Sequence, residues 1–142
     1  MNLQRAIEIA VDAHKDVEDK GGNPYILHPL RVMLSLETED EKIVGVLHDV
    51  VEDAEEWTFE ELETEGFSKD VLEGLRSVTK LSDDENYDEF VQRALANNIG
   101  RRVKIADIKD NLDVTRIDEL TDRDIARLKR YKKSLKILQE CH

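Results

Sequence analysis

HDVVED, residues 48–53, is the stretch on which the reading of this chain turns. His48 and Asp49 are adjacent, Glu52 follows His48 by four residues, and Asp53 follows Asp49 by four. At about 100° per residue, positions four apart share a helix face. One helix can therefore present an imidazole and three carboxylates to a single pocket. Such a set can hold a divalent metal and leave an acid or base to spare.

Helical periodicity extends outward from this run in both directions. Leu3, Ala6, Ile7, Ala10 and Val11 form an apolar stripe at helical spacing. Gly21, Gly22, Asn23 and Pro24 break the chain, and a second helix is expected from His28–Pro29 to about Leu36. Glu37–Glu41 reads as a connector with Asp40 as helix cap, and the third helix is expected over 41–53. Thr58 followed by Glu61 predicts a capped helix over 59–65, ended by Gly66, and Ser68 predicts another from Lys69 to Thr79. Helices are further expected over 87–97, closed by Asn97, Asn98 and Gly100, then over 101–113, and over 122–139 after a Thr121–Asp124 cap. No segment reads as a strand, a repeat or a linker. The expectation is an all-α, single-domain bundle covering residues 1–142.

Composition narrows the function. The 142 residues carry a net charge of −12 and a pI near 4.8. No basic surplus exists to displace counterions from nucleic acid or to hold an anionic membrane, so neither is expected as a partner. A phosphorylated ligand would need a metal and local cations to reverse the field at its site. Cys141 is the only cysteine, which rules out an internal disulfide and fits a reducing compartment. With no signal pattern and no membrane-length apolar run, the expected location is cytoplasmic.

His28, His48, Asp49 and Asp107 suit a mixed nitrogen and oxygen metal site, open to manganese, iron or zinc. Asp107 stands inside the apolar string VKIADI (103–108), where an unpartnered carboxylate would be costly. A metal is one partner for it, and a salt bridge to Lys104 or Arg102 is the other. Glu52 and Asp53 read either as a solvated helix end or as groups that orient and deprotonate a water. Asn111 lies one turn after Asp107, so both can face one pocket. His14 reads as structural, with a hydrogen bond to donate behind the site. Lys80 reads as compensation of a helix dipole or as a group facing phosphate. The basic residues of the last helix, Arg127 among them, read as a solvated face.

The segments AHKDVEDKGGNPYILHPLRV (13–32), VGVLHDVVEDAEEWTFEELE (44–63), SVTKL (77–81) and VKIADIKDN (103–111) resemble the HD-domain hydrolases of the RelA/SpoT type, above all the short stand-alone alarmone hydrolases. The resemblance implies an all-helical HD fold with one divalent metal, typically Mn2+, on His28, His48, Asp49 and Asp107. It implies that Glu52 and Asp53 lie at the attacking water, and that Lys20 and Asn111 help position a nucleotide substrate. The implied reaction removes the 3′-pyrophosphate of (p)ppGpp, with no synthetase or regulatory domain in these 142 residues. The alternatives are an HD phosphohydrolase acting on another nucleotide or phosphate ester, and a non-catalytic nucleotide-binding module.

Two positions depart from the pattern. Asp19 stands where relatives carry an arginine that stacks on guanine, which implies weaker base discrimination and a gain on Asp19→Arg. Asp110 stands where relatives often have histidine, which implies altered phosphate or sugar contacts.

Overall fold

Residues Ile43 to Leu47 are apolar apart from Gly45, and each of Ile43, Val44, Val46 and Leu47 is at most 2% exposed. They form the buried stretch of α3 (Glu39–Leu47), around which the other helices gather. The computed structural model describes residues 2–140, so Cys141 lies outside the described residues. The elements, in order, are α1 (Leu3–Ala13), α2 (Leu27–Leu34), α3, α4 (Val50–Asp53), α5 (Phe59–Thr64), α6 (Lys69–Ser77), α7 (Tyr87–Leu95), α8 (Asn98–Asn111) and α9 (Asp122–Glu140). Among the described residues there is no strand, and the only extended pairing is an isolated bridge between Glu18 and Pro24. The all-α expectation holds.

Helix α3 packs on α1, α2, α6 and α8. Gly45 permits the α2 contact: a Cβ there would stand 2.7 Å from Leu36 Cδ1. A second, smaller cluster joins α7, α8 and α9 through Val91, Ile108 and Leu138. Helix α8 thus belongs to both cores, which places Asp107 at their junction.

The caps account for most boundaries. Ser68 Oγ accepts from the Val71 amide at 3.2 Å, and Thr58 Oγ1 accepts from Glu61 at 3.1 Å, as expected. Thr121 and Asp124 cap α9 reciprocally, at 3.2 and 3.0 Å. Two caps correct the sequence reading. Thr38, not Asp40, begins α3: its hydroxyl accepts from Glu41, whose carboxylate accepts from the Thr38 amide, the reciprocal pair known as a capping box. Asn97 opens α8 rather than closing α7, its side chain accepting from Gly100 at 2.8 Å.

The third correction concerns the site itself. The expected helix over 41–53 is interrupted after Leu47, and α4 resumes at Val50. Asp49 has φ −105° and ψ 0°, the sparsely allowed bridge region. Consecutive residues on an unbroken helix point about 100° apart. The break removes that divergence, and His48 and Asp49 converge, with Nε2 and Oδ2 3.1 Å apart.

Gly100 sets how closely α8 seats on α6. A Cβ at this position would lie 1.9 Å from Ser77 Oγ and 3.0 Å from Ser77 Cβ. Gly100→Ala is expected to lower stability by about 1–3 kcal/mol through overpacking. Adding Ser77→Ala should recover only part of that loss in urea denaturation, because the Ser77 Cβ remains.

Candidate functional site

Three segments deliver four donors to one point. His28 comes from the first turn of α2, His48 and Asp49 from the break after α3, and Asp107 from α8. Among the described residues, His28, His48 and Asp49 each offer a ligand atom within 4.8 Å of the others. Asp107 Oδ1 joins them, 2.9 Å from His28 Nε2 and 3.3 Å from His48 Nε2.

The chemistry of this set fits a divalent cation. His48 Nδ1 donates to the Gly45 carbonyl at 2.6 Å, so Nε2 is the nitrogen turned toward the carboxylates. That Nε2 is buried and satisfies no hydrogen bond. An orphaned imidazole nitrogen facing two carboxylates and a second imidazole is a donor set that a hard or borderline cation can complete.

The same carboxylates favour the protonated form of both histidines. Burial opposes charge on His48, yet Asp49 and Asp107 raise its pKa well above the usual imidazole value. His28 is likewise raised against burial, through hydrogen bonds to Asp107 and Asp110. Burial also opposes the ionisation of Asp107, and Lys104, His48 and His28 overcome it, holding that carboxyl well below its ordinary range. Lys104 is itself buried, 4.4 Å above the Phe90 ring, and its Nζ donates to Asp107 Oδ2 at 3.2 Å. Of the two salt-bridge partners expected for Asp107, Lys104 makes the contact on Oδ2 and Arg102 pairs with Glu41 instead, while His28 and His48 face Oδ1. Asn111 Nδ2 also donates to Oδ1, at 3.1 Å. The Tyr25 hydroxyl donates to Asp49 Oδ2.

Glu52 and Asp53 stand at the rim. The backbone amide of Lys80 donates to Glu52 Oε1, while the Lys80 side chain is exposed. Desolvation against the site wall raises the Glu52 pKa, and desolvation with the Asp49 charge pushes half-exposed Asp53 up to about 6. His14 is buried behind them, edge-on to Tyr25 at 4.9 Å, with its Nδ1 4.0 Å from Asp53 Oδ2. The hydrogen bond expected of His14 is not made, as both of its nitrogens lack a partner.

A cavity of about 320 Å³ opens beside His28, lined in part by Lys20, Tyr25, Arg31, Asn111, Arg116, Arg127 and Tyr131. Glu18, Asp19 and Asp113 line it as well, and each of its cations is paired with a carboxylate. Lys20 Nζ donates to Asp124 at 3.0 Å, and Arg127 donates to the same oxygen. Arg31 forks onto Asp110 at 2.8 and 3.1 Å. Asp110 also accepts from His28 Nδ1 at 2.6 Å, and His28 with Arg31 holds that carboxyl below its ordinary range despite burial. Asp19 does not project its carboxylate as a free charge. Its Oδ1 accepts from the amides of Gly21 and Asn23, at 2.8 and 2.9 Å, and so ties its own loop.

Sequence reasoning missed Arg31, Arg116, Arg127, Tyr131 and the contact between Asp110 and His28. Arg31 was accessible as an i, i+3 neighbour of His28. Arg116, Arg127 and Tyr131 reach the cavity only through the docking of α9 and the loop before it, and Arg127 is not the solvated-face residue expected.

No family model matches the chain. It is 33% identical over 127 residues, 78% of its length, to a chloroplastic protein of Arabidopsis thaliana, RSH1, named for a GTP diphosphokinase. It is 34% identical over 119 residues, again 78% of its length, to an Aquifex aeolicus protein named guanosine-3′,5′-bis(diphosphate) 3′-pyrophosphohydrolase. The chain is a relative of the RelA/SpoT-type HD proteins. It spans 14% and 17% of the length of these two relatives. A solved structure described as a metazoan ortholog of SpoT superposes with a TM-score of 0.81, covering 99% of this chain and 86% of that one at 23% identity. The HD fold is thus common to both.

A divalent cation binding this HD site competes with protons for His28 and His48, whose pKa values the neighbouring carboxylates raise. Zn2+ titrated into chelator-stripped protein at pH 7 is expected to release a measurable number of protons per ion. The dependence of binding heat on buffer ionisation enthalpy reads this number. Affinity should weaken as pH falls, and binding without proton release would contradict the arrangement.

Proposed function

We propose that residues 1–142 act as one HD-type metal-dependent phosphohydrolase domain whose leading substrate is (p)ppGpp, cleaved to GDP or GTP and pyrophosphate. The observation that carries this reading is the convergence of His28, His48, Asp49 and Asp107, with an orphaned His48 Nε2, beside a cavity edged by cations. The similarity to the Aquifex aeolicus protein named as a 3′-pyrophosphohydrolase supports the substrate.

In this reading the two histidines, Asp49 and Asp107 hold one divalent ion, Mn2+. When bound, such an ion polarises a phosphoryl oxygen and lowers the pKa of water at the site. Asp107 contributes Oδ1 because Lys104 occupies Oδ2, and Tyr25 steadies Asp49. Glu52, fixed by the Lys80 amide, orients the attacking water and shares with Asp53 the task of taking its proton. Asp53, at about 6, is mostly ionised at neutral pH and able to take the proton from that water. The 3′ oxygen gains a proton as it leaves the phosphorus. Lys20 and Asn111 position the nucleotide from the cavity wall. The chain works in the cytoplasm on a small nucleotide, with neither nucleic acid nor membrane as partner, which accords with its net charge of −12.

A second reading, hydrolysis of another nucleotide by the same site, is favoured by Asp19. The position of the stacking arginine holds a carboxylate bound to its own loop. Comparing kcat/KM for ppGpp, its adenine counterpart and NADPH with Mn2+-loaded protein decides between the two.

His48→Ala should abolish Mn2+ binding and turnover together. Glu52→Gln should keep Mn2+ affinity within about threefold and lower kcat by roughly 10²–10⁴. Full activity in Glu52→Gln would remove Glu52 from this role. The loop geometry also reverses one expectation. Asp19→Arg discards the acceptor for two backbone amides, so we expect a raised KM for ppGpp rather than a gain, with Asp19→Asn, which keeps an acceptor, near wild type. A clear fall in KM for Asp19→Arg would show that the loop tolerates the change.

A further inference from the structure

Helix α8 carries two carboxylates toward one histidine. Asp107 and Asp110 are three residues apart and share a face. His28 lies between them, with Nε2 2.9 Å from Asp107 Oδ1 and Nδ1 2.6 Å from Asp110 Oδ2. Rotation of the ring would break both contacts. Asp110 is in turn immobilised, since Arg31 donates through Nε to Oδ1 and through a terminal nitrogen to Oδ2. Arg116 stands 3.6 Å from the same Oδ2. The Asp110 side chain is only 13% exposed, so these partners rather than water satisfy it.

We infer that Asp110 is a positioning residue: it accepts the Nδ1 proton of His28, turns the Nε2 lone pair into the metal site, and links that ligand to the two arginines that edge the nucleotide cavity. The inference rests on the reading of the site as a metal centre. Its physical basis is general. A carboxylate on the far nitrogen of a ligating histidine fixes the tautomer and ring angle and makes the ligand more basic. Nothing else among the described contacts of His28 does this, as its other polar partner is Asp107 on the metal side. Arg31 and Arg116 then serve two ends: they hold Asp110 and present guanidinium edges to the cavity.

A purely structural ion pair is the competing account, and metal affinity separates the two. Mn2+ titrations followed by electron paramagnetic resonance should show Asp110→Ala weakened by about 10–100-fold. Asp110→Asn retains one acceptor oxygen and should fall between the two. In 15N-histidine-labelled protein loaded with diamagnetic Zn2+, the wild type should show His28 protonated at Nδ1, with that proton shifted downfield by a strong hydrogen bond. The shift should be lost in Asp110→Ala. Should Asp110→Ala fail to fold by circular dichroism, the isosteric Asp110→Asn carries the test by the same two measurements. Mn2+ affinity within about threefold of wild type, with the downfield proton retained, would overturn the inference. A wild-type protein that binds no Mn2+ would instead overturn the metal-centre reading itself.

Discussion

The carboxylate of Asp107 is the interaction on which this molecule depends. It is buried at the junction of two apolar clusters and divided between opposite demands, a lysine on one oxygen and two histidines on the other. An isolated charge there would be prohibitive. Lys104 makes it tolerable, and the aromatic faces of Phe90 and Tyr87 make Lys104 tolerable in turn. The cost of placing these charges inside the fold is met by packing around α3 and by the shared helix α8. That arrangement turns Oδ1 of Asp107 toward His28, His48 and Asn111.

The same logic repeats at larger radius. Each cation at the cavity edge has a carboxylate behind it: Asp110 for Arg31, Asp124 for Lys20 and Arg127, Asp113 for Arg116. A chain of net charge −12 thereby sets Lys20, Arg31, Arg116 and Arg127 into one cavity wall, beside the acidic Glu18, Asp19 and Asp113. The acidic excess is an organising element for those cations as well as a solubility device. Ordered guanidiniums lose little conformational freedom when an anion arrives, which favours recognition over nonspecific attraction.

Much of this was legible in the residues. The apolar periodicity marked nearly every helix, and the string VKIADI exposed Asp107 as a charge in an apolar setting. The break between His48 and Asp49 was not legible, because Val50 to Asp53 continue the helical pattern without glycine or proline. The break accompanies the convergence of His48 and Asp49, and no local propensity reports it. Thr38 was overlooked for Asp40, although Thr38 and Glu41 form the spacing that a capping box requires. Arg116, Arg127 and Tyr131 depend on how a distant helix docks, a long-range matter that periodicity does not encode. Asp19 carries a local role that its charge alone did not suggest, since its carboxylate accepts two amides of its own loop.

One close approach has a meaning for how such a site can diverge. At Gly21 a Cβ would lie 2.5 Å from the Arg116 carbonyl oxygen, so the loop after α1 and the segment after α8 meet backbone to backbone. Two walls of the cavity are therefore mechanically one piece. A side chain introduced at position 21 alone would wedge these walls apart, so the chamber can be widened or narrowed only by altering both segments together.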